Sequence, residues 1–257
     1  MRVLHAELLK LATLPATWIA TALTLGIPPL LALLNGRMLN QALTTGDAGG
    51  MVTTDPVDEG FGQVTFGLVG IAVLGVTAIS SEYARNSRTV GSGRQILTTV
   101  SACPHRWTLF TAKLAALTCW AAGLASLSVT LTLVASRWAL GPWAQPWTGT
   151  DWSRAVNAAF YLLAMAWVAF GMTALVRNGV IPLALFITNA SLVSFSMLAA
   201  RATEWAKYLP DLAAYPSFLA SHPMEHPLPA SVGQAVLVVW AVGFVLAAAA
   251  VFQRRDA

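Results

Sequence analysis

Long apolar segments separated by polar stretches dominate the pattern of residues along the chain. Each apolar segment holds about 20 residues, the length that a helix needs to cross the hydrocarbon core of a bilayer. Because hydrocarbon offers the backbone no hydrogen-bond partners, each segment is expected to form a helix. The pattern predicts six spans, at 18–34, 61–80, 114–135, 155–176, 179–200 and 232–252.

Two other segments predict helices outside these spans. Residues 1–17 place apolar side chains near one helical face and Glu7 and Lys10 elsewhere, as in an amphipathic helix at the inner membrane interface. The alternative is a simple cytoplasmic extension of the first span. Residues 201–230 repeat aromatic and leucine side chains at helical spacing, and Pro210 suits the first position of a helix. This segment predicts short outer helices before the sixth span.

The region after the first span predicts an external loop. Pro28 and Pro29 favour a kink or an early end of the first helix. Residues 37–60 are acidic and rich in glycine, which favours a mobile loop. The acids at 55, 58 and 59 lack the spacing of an EF-hand, so a calcium site is not favoured.

Composition excludes a soluble domain. The chain is 56% apolar and 10% charged, whereas a soluble globular protein carries about 25% charged residues. The sequence therefore predicts a single, all-α, integral membrane domain of 257 residues.

The distribution of basic residues predicts the orientation. With the N-terminus inside and six alternating spans, the inner segments hold ten basic residues and three acids, and the outer segments hold five and eight. Because basic residues favour the cytoplasmic side, we expect a multi-pass protein of a bacterial cytoplasmic membrane with both termini in the cytoplasm. The net charge of +4 then reflects topology, and no nucleic-acid partner is expected.

The chain shows no catalytic pattern. No Asp, Glu, Lys, Arg or His lies inside the six predicted spans, which disfavours ion-coupled transport and intramembrane proteolysis. Residues 91–94, Gly-Ser-Gly-Arg, lack the closing Gly-Lys-Ser/Thr of a nucleotide-binding loop. We therefore expect neither an enzyme nor an ATP site, so any uphill transport would draw its energy from a partner.

The polar, basic stretch at 81–113 carries a family resemblance. Its residues Ser81-Glu82-Tyr83, then Ile-Leu-Thr-Thr-Val at 96–100, then Pro104-His105-Arg106 and Ala112-Lys113, resemble the permease subunits of type-2 ABC exporters. Glu7 and Lys10 also resemble the N-terminal helix of that family. The stretch departs from the compact form of the motif, because extra residues separate Tyr83 from Ile96.

The resemblance implies a cytoplasmic coupling helix within residues 81–113. In that interpretation, one apolar helical face would enter a groove on a separate ATPase. The implied coupling residues are Glu82, Ile96, Leu97, Val100, Pro104 and Arg106.

The resemblance also implies partners and a transport path. The partners would be ABC ATPase subunits, a second permease copy or paralogue, and membrane lipid. The ATPase would bind ATP and Mg²⁺, and this chain would hold no cofactor or metal. The second and fifth spans would line the path of an apolar or amphipathic substrate, such as a drug, antibiotic, peptide or lipid, with Gly70, Thr188, Asn189 and Ser196 as pathway residues.

The tryptophans predicted to lie on the outer side also fit a different class of protein. Four of them lie at 138–152, next to predicted span ends. The alternative is therefore a membrane immunity or sensor protein that does not transport and binds a toxin or antibiotic at its outer surface.

Overall fold

The computed structural model describes residues 2–47, 55–83, 106–190, 194–221, 224 and 226–254. Within these residues all regular secondary structure is helical, and no strand occurs. Five of the described helices are long and apolar enough to cross a membrane. The predicted all-α membrane class is therefore confirmed.

The helices follow the chain in a simple order, and three-residue to five-residue 3₁₀ turns join several of them. Their bounds are α1 Arg2–Thr13, α2 Pro15–Thr45, α3 Pro56–Val64, α4 Leu68–Tyr83, α5 Arg106–Leu140, α6 Gly149–Val176, α7 Val180–Asn189, α8 Phe195–Ala202, α9 Pro210–Ala214 and α10 Ala230–Arg254. The turn Thr65–Gly67 joins α3 to α4, so that Pro56–Ser81 forms one apolar helical segment.

The predicted external loop at 37–60 is wrong at both of its ends. Helix α2 continues through Pro28 and Pro29 to Thr45. Helix α3 begins at Pro56, because the Asp55 carboxylate accepts a hydrogen bond of 2.9 Å from the backbone N–H of Val57 and caps the helix. Proline at the first helical position adds to this start signal.

Helices α2 and α5 run parallel along most of their length. The Ser128 hydroxyl donates to the Thr24 carbonyl at 2.7 Å, and the Asn40 amide donates to the Leu140 carbonyl at 2.9 Å. Helix α4 runs antiparallel to α2 and approaches it closely at Gly70, where a Cβ atom would lie 2.6 Å from the Ala20 carbonyl oxygen. Close backbone approach of this kind is the usual role of small residues between membrane helices.

Helix α6 forms the centre of the bundle. It packs against α4, α5 and α10, and its Tyr161 and Phe170 side chains are fully buried. The helix ends at Arg177, which adopts the left-handed conformation with φ of 54°. Gly179 has φ of −76°, which any residue adopts. Its lack of a side chain matters for the contact with α4, because a Cβ atom there would lie 2.9 Å from Val76.

The bundle has two ends that long-range contacts define. At one end, which we call the Lys113 end, Lys113 bonds to Glu7 of α1, and Arg106 lies 3.5 Å from the Phe252 carbonyl oxygen of α10. At the other end, which we call the Asp58 end, the Asp58 carboxylate accepts hydrogen bonds from the backbone N–H groups of Ala220 and Ser221. Residues near both chain termini therefore lie at the Lys113 end.

The fifth predicted span is not one continuous helix. Helix α7 begins beside α4 and ends at Asn189, and α8 begins at Phe195 after an extended Ser194. The chain then passes through Glu204–Tyr208 and α9, which packs so closely on α10 that only glycine fits at position 233, against the Ala213 carbonyl. The prediction of a single helix over 179–200 is therefore wrong.

Candidate functional site

An apolar cleft lies where α6, α7, α8, α9 and α10 meet. Its volume is about 380 Å³, within the range of about 300–1,000 Å³ that is usual for small-molecule sites. The cleft opens to the outside of the bundle, because the lining residues Phe195 and Trp240 are 56% and 38% exposed. Most of its lining is apolar, and its polar residues are Asn189, Ser196 and Asp211.

Asn189 organises the polar side of the cleft. Its side-chain carbonyl accepts hydrogen bonds from the hydroxyls of Ser194 at 2.8 Å and Ser196 at 2.9 Å, and from the backbone N–H of Ser196 at 3.0 Å. An amide that bonds to a nearby backbone group competes with the helix. The Asn189 side chain therefore stabilises the break between α7 and α8 and fixes the start of α8.

Asp211 is the charged residue of the cleft lining. The Asn189 amide donates to its carboxylate at 2.7 Å. The residue is 2% exposed and lies in the first turn of α9, where the partial positive charge of the helix N-terminus favours an acid. Burial, and next the negative charge of Asp211, raise the pKa of the Tyr215 phenol.

Two aromatic side chains of α10 form one wall. The rings of Trp240 and Phe244 stack with centroids 5.8 Å apart. The Trp240 indole donates a hydrogen bond of 2.7 Å to the Tyr208 carbonyl, which holds the ring in place. The cleft thus has a fixed aromatic wall on α10 and a buried carboxylate on α9.

Two of the four predicted pathway residues line this cleft, and two do not. Asn189 and Ser196 lie in its lining. Gly70 packs against Thr24 and Ala20 of α2 instead. Thr188 is exposed outside the cleft, and its hydroxyl donates to the Ala184 carbonyl at 2.7 Å.

Sequence reasoning missed Asp211. The aromatic residues and prolines of 201–230 predict short outer helices and give Asp211 no role. The available signal was the pair Pro210-Asp211 directly before Leu212. Proline followed by an acid is typical of a helix start, and here it places a carboxylate beside apolar residues.

A second polar cluster lies at the Lys113 end. The Lys113 ammonium lies 2.8 Å from the Glu7 carboxylate, and the two side chains are 1% and 10% exposed. The contact joins α1 to α5. Lys10, which was grouped with Glu7 from the sequence, is half-buried on the same short helix.

The predicted coupling residues are described only in part. Arg106 begins α5, next to Phe252 of α10. The backbone of Glu82 lies in the last turn of α4. The remaining predicted coupling residues lie outside the described residues, at Ile96, Leu97, Val100 and Pro104.

The second apolar segment begins before the predicted span 61–80 and includes two acids near its start. Asp58 and Glu59 are buried in the apolar segment Pro56–Ser81. Asp58 pairs with Arg154 of α6, and Glu59 accepts a hydrogen bond from Ser136 of α5. Arg154 also donates to the Phe218 carbonyl at 2.8 Å. These contacts close the Asp58 end of the bundle.

In the part of the chain that the structure describes, no three His, Cys, Asp or Glu side chains are grouped so that they could hold a metal ion. Comparison of the chain with protein families and with curated proteins gives no match. The site is therefore interpreted from its own geometry and from the residues of the chain.

Proposed function

We propose that the chain is the membrane-spanning subunit of an ATP-driven ABC exporter. Two such chains, identical or paralogous, would assemble with two separate ATPase subunits in a bacterial cytoplasmic membrane. The complex would move an apolar or amphipathic substrate out of the cell. Five apolar helices and the resemblance of residues 81–113 to type-2 exporter permeases support this proposal.

The buried pair of Glu7 and Lys113 is the observation that supports the proposal best. Lys113 ends the stretch whose residues resemble the coupling segment, and it lies in the third turn of α5. Because Lys113 is bonded to Glu7, any force on this stretch would act on α1 and α5 together. Such a rigid link is what transmission from an ATPase to membrane helices requires.

The cleft beside Asn189 supplies a place for a substrate. It opens on the outside of the bundle and is lined mainly by apolar side chains. An apolar or amphipathic molecule would reach it from the bilayer or from a second copy of the chain. The break between α7 and α8 places polar groups beside this apolar surface.

Transport in reconstituted vesicles tests the proposal. The chain would be purified together with the ATPase that binds it and reconstituted with a fluorescent amphipathic substrate inside or outside the vesicle. We expect transport that needs ATP and stops when the catalytic glutamate of the ATPase is replaced. Transport that continues with the inactive ATPase, or a chain that recruits no ATPase, would contradict the proposal.

A non-transporting immunity or sensor protein is the second candidate, because indoles are exposed at the Asp58 end. Trp138 and Trp152 are 67% and 63% exposed. An exposed aromatic surface of this kind suits binding to a toxin or antibiotic. This candidate would be favoured if the purified chain bound such a molecule with no ATPase present and protected cells without exporting it.

A further inference from the structure

We propose that the cleft beside Asp211 binds lipophilic organic cations. The ligand class is a single positive charge, as in an ammonium or phosphonium group, attached to an apolar body. The charge would lie next to the Asp211 carboxylate, and the apolar body would occupy the rest of the cleft. The inference rests on the proposed function only in treating this cation as the transported substrate.

The cleft lining carries one negative charge, that of Asp211. Asp211 is only 2% exposed, and burying a carboxylate without a cation is costly. Its described contact is the neutral amide of Asn189. Across the described residues no Lys, Arg or His forms an ion pair with it, and the cleft lining contains no basic side chain. A bound cation would supply the missing charge.

Aromatic side chains line the same cleft. Trp240 and Phe244 present stacked rings to the cleft, and Phe195 lines it from α8. Aromatic faces attract cations through their quadrupoles, and the attraction grows when water is excluded. A carboxylate and aromatic rings in one apolar cleft favour a cation over a neutral or anionic molecule of the same shape.

Hydrogen bonds link the polar residues of the cleft lining. Asn189 donates its amide N–H to Asp211, and its carbonyl accepts three hydrogen bonds from Ser194 and Ser196. The Asn189 carbonyl is therefore committed within this cluster, whereas the Asp211 carboxylate accepts one described hydrogen bond and keeps acceptor positions for a donor. Charge and apolar contact would hold a cation without N–H groups, and a protonated amine would add a hydrogen bond to the carboxylate.

Binding to the purified chain tests the site directly. The chain, in a neutral detergent and without any ATPase, would be equilibrated with radiolabelled tetraphenylphosphonium. Tetraphenylborate, which has nearly the same shape and the opposite charge, is the matched ligand control. We expect tetraphenylphosphonium to bind at least about tenfold more tightly than tetraphenylborate.

Two variants locate the binding site. Asp211→Asn removes the charge and is expected to weaken tetraphenylphosphonium binding by about tenfold or more. Glu204→Gln removes one acid from the same segment, where the Glu204 side chain is 78% exposed, and is expected to leave binding unchanged. Ala199→Phe keeps the Asp211 charge and fills the cleft from α8, so it should also abolish binding.

The outcomes separate this inference from the proposed export. Equal binding of the two tetraphenyl ions, or tight phosphonium binding by a folded Asp211→Asn chain, would overturn the cation site. If Asp211→Asn does not fold, unchanged binding to Ala199→Phe would overturn it. A phospholipid retained in the cleft that the phosphonium ion cannot displace would also do so. Binding without ATP-driven transport would support the cation site and contradict the proposed ATP-driven export.

Discussion

The Lys113 ammonium lies 2.8 Å from the Glu7 carboxylate, although the two residues are 106 positions apart in the chain. Both side chains are buried. Removing one partner of a buried ion pair typically costs about 3–5 kcal/mol, because the other charge stays buried. We therefore expect Glu7→Gln to lower the apparent melting temperature of the detergent-solubilised protein strongly.

The matched control is the pair of Lys207 and Glu204, 3.9 Å apart, in which the Glu204 side chain is 78% exposed. Exposed pairs contribute about 0–1 kcal/mol, so Glu204→Gln should change the melting temperature little. The double variant Glu7→Leu, Lys113→Met should recover part of the stability that Glu7→Gln loses, since it leaves no unpaired charge. Equal melting temperatures for Glu7→Gln and Glu204→Gln would show that the buried pair is not stabilising.

Gly70 sets the distance between α2 and α4. A Cβ atom at this position would lie 2.6 Å from the Ala20 carbonyl oxygen, so Gly70→Ala forces the helices apart. Overpacking of this kind costs about 1–3 kcal/mol. We expect a lower melting temperature for Gly70→Ala, measured by circular dichroism of the detergent-solubilised protein.

Gly26→Ala is the control for this substitution, since a Cβ atom added at Gly26 on α2 would meet no other atom within 4 Å. Alanine is a better helix former than glycine by about 1 kcal/mol, so Gly26→Ala should keep or raise the melting temperature. A Gly70→Ala protein as stable as Gly26→Ala would contradict the close packing of the two helices.

Asp58 holds the segment before α10 in place. Its carboxylate accepts hydrogen bonds from the backbone N–H groups of Ala220 at 2.9 Å and Ser221 at 2.6 Å, and it pairs with Arg154. Asp58→Asn removes the charge, and we expect limited proteolysis to cut faster near residues 219–229. Glu204→Gln, at a side chain that is 78% exposed, is the control and should leave the cleavage pattern as it is in the unmodified protein.

The coupling stretch gives a functional prediction from the sequence. Replacing Ile96, Leu97 and Val100 by serine removes the apolar face that the resemblance assigns to the ATPase groove. We expect normal membrane insertion, continued ATP hydrolysis and loss of transport in reconstituted vesicles. Replacing Thr98 and Thr99 by serine changes neighbouring polar residues and is the control. Normal transport by the triple variant would make the stretch a simple connector.

The sequence predicts the helical membrane class well, because a segment that crosses hydrocarbon must be helical and carry a long run of apolar residues. It places the helix ends poorly. Hydropathy assigns Asp58 and Glu59 to water, yet both are buried through partners from α6 and α5, at Arg154 and Ser136. Such pairs join residues 77 to 96 positions apart, so no local pattern reveals them.

Two of the three polar residues of the cleft lining are also residues that the resemblance assigns to a transport path. These are Asn189 and Ser196. Their partner, Asp211, lies in another element, and the break after Asn189 is held by the hydrogen bonds that these side chains make. Hydropathy treats the segment as uniform, so it predicts one helix where the hydrogen bonds favour two.

The break between α7 and α8 also bears on how many times the chain passes between the two ends of the bundle. A chain whose two termini lie at the same end of a bundle must travel its length an even number of times. The five long helices give an odd number, while Glu7 and Phe252 both lie at the Lys113 end. The interrupted stretch of α7 and α8 accounts for the remaining passage between the two ends, and a count of long helices alone would place Phe252 at the Asp58 end.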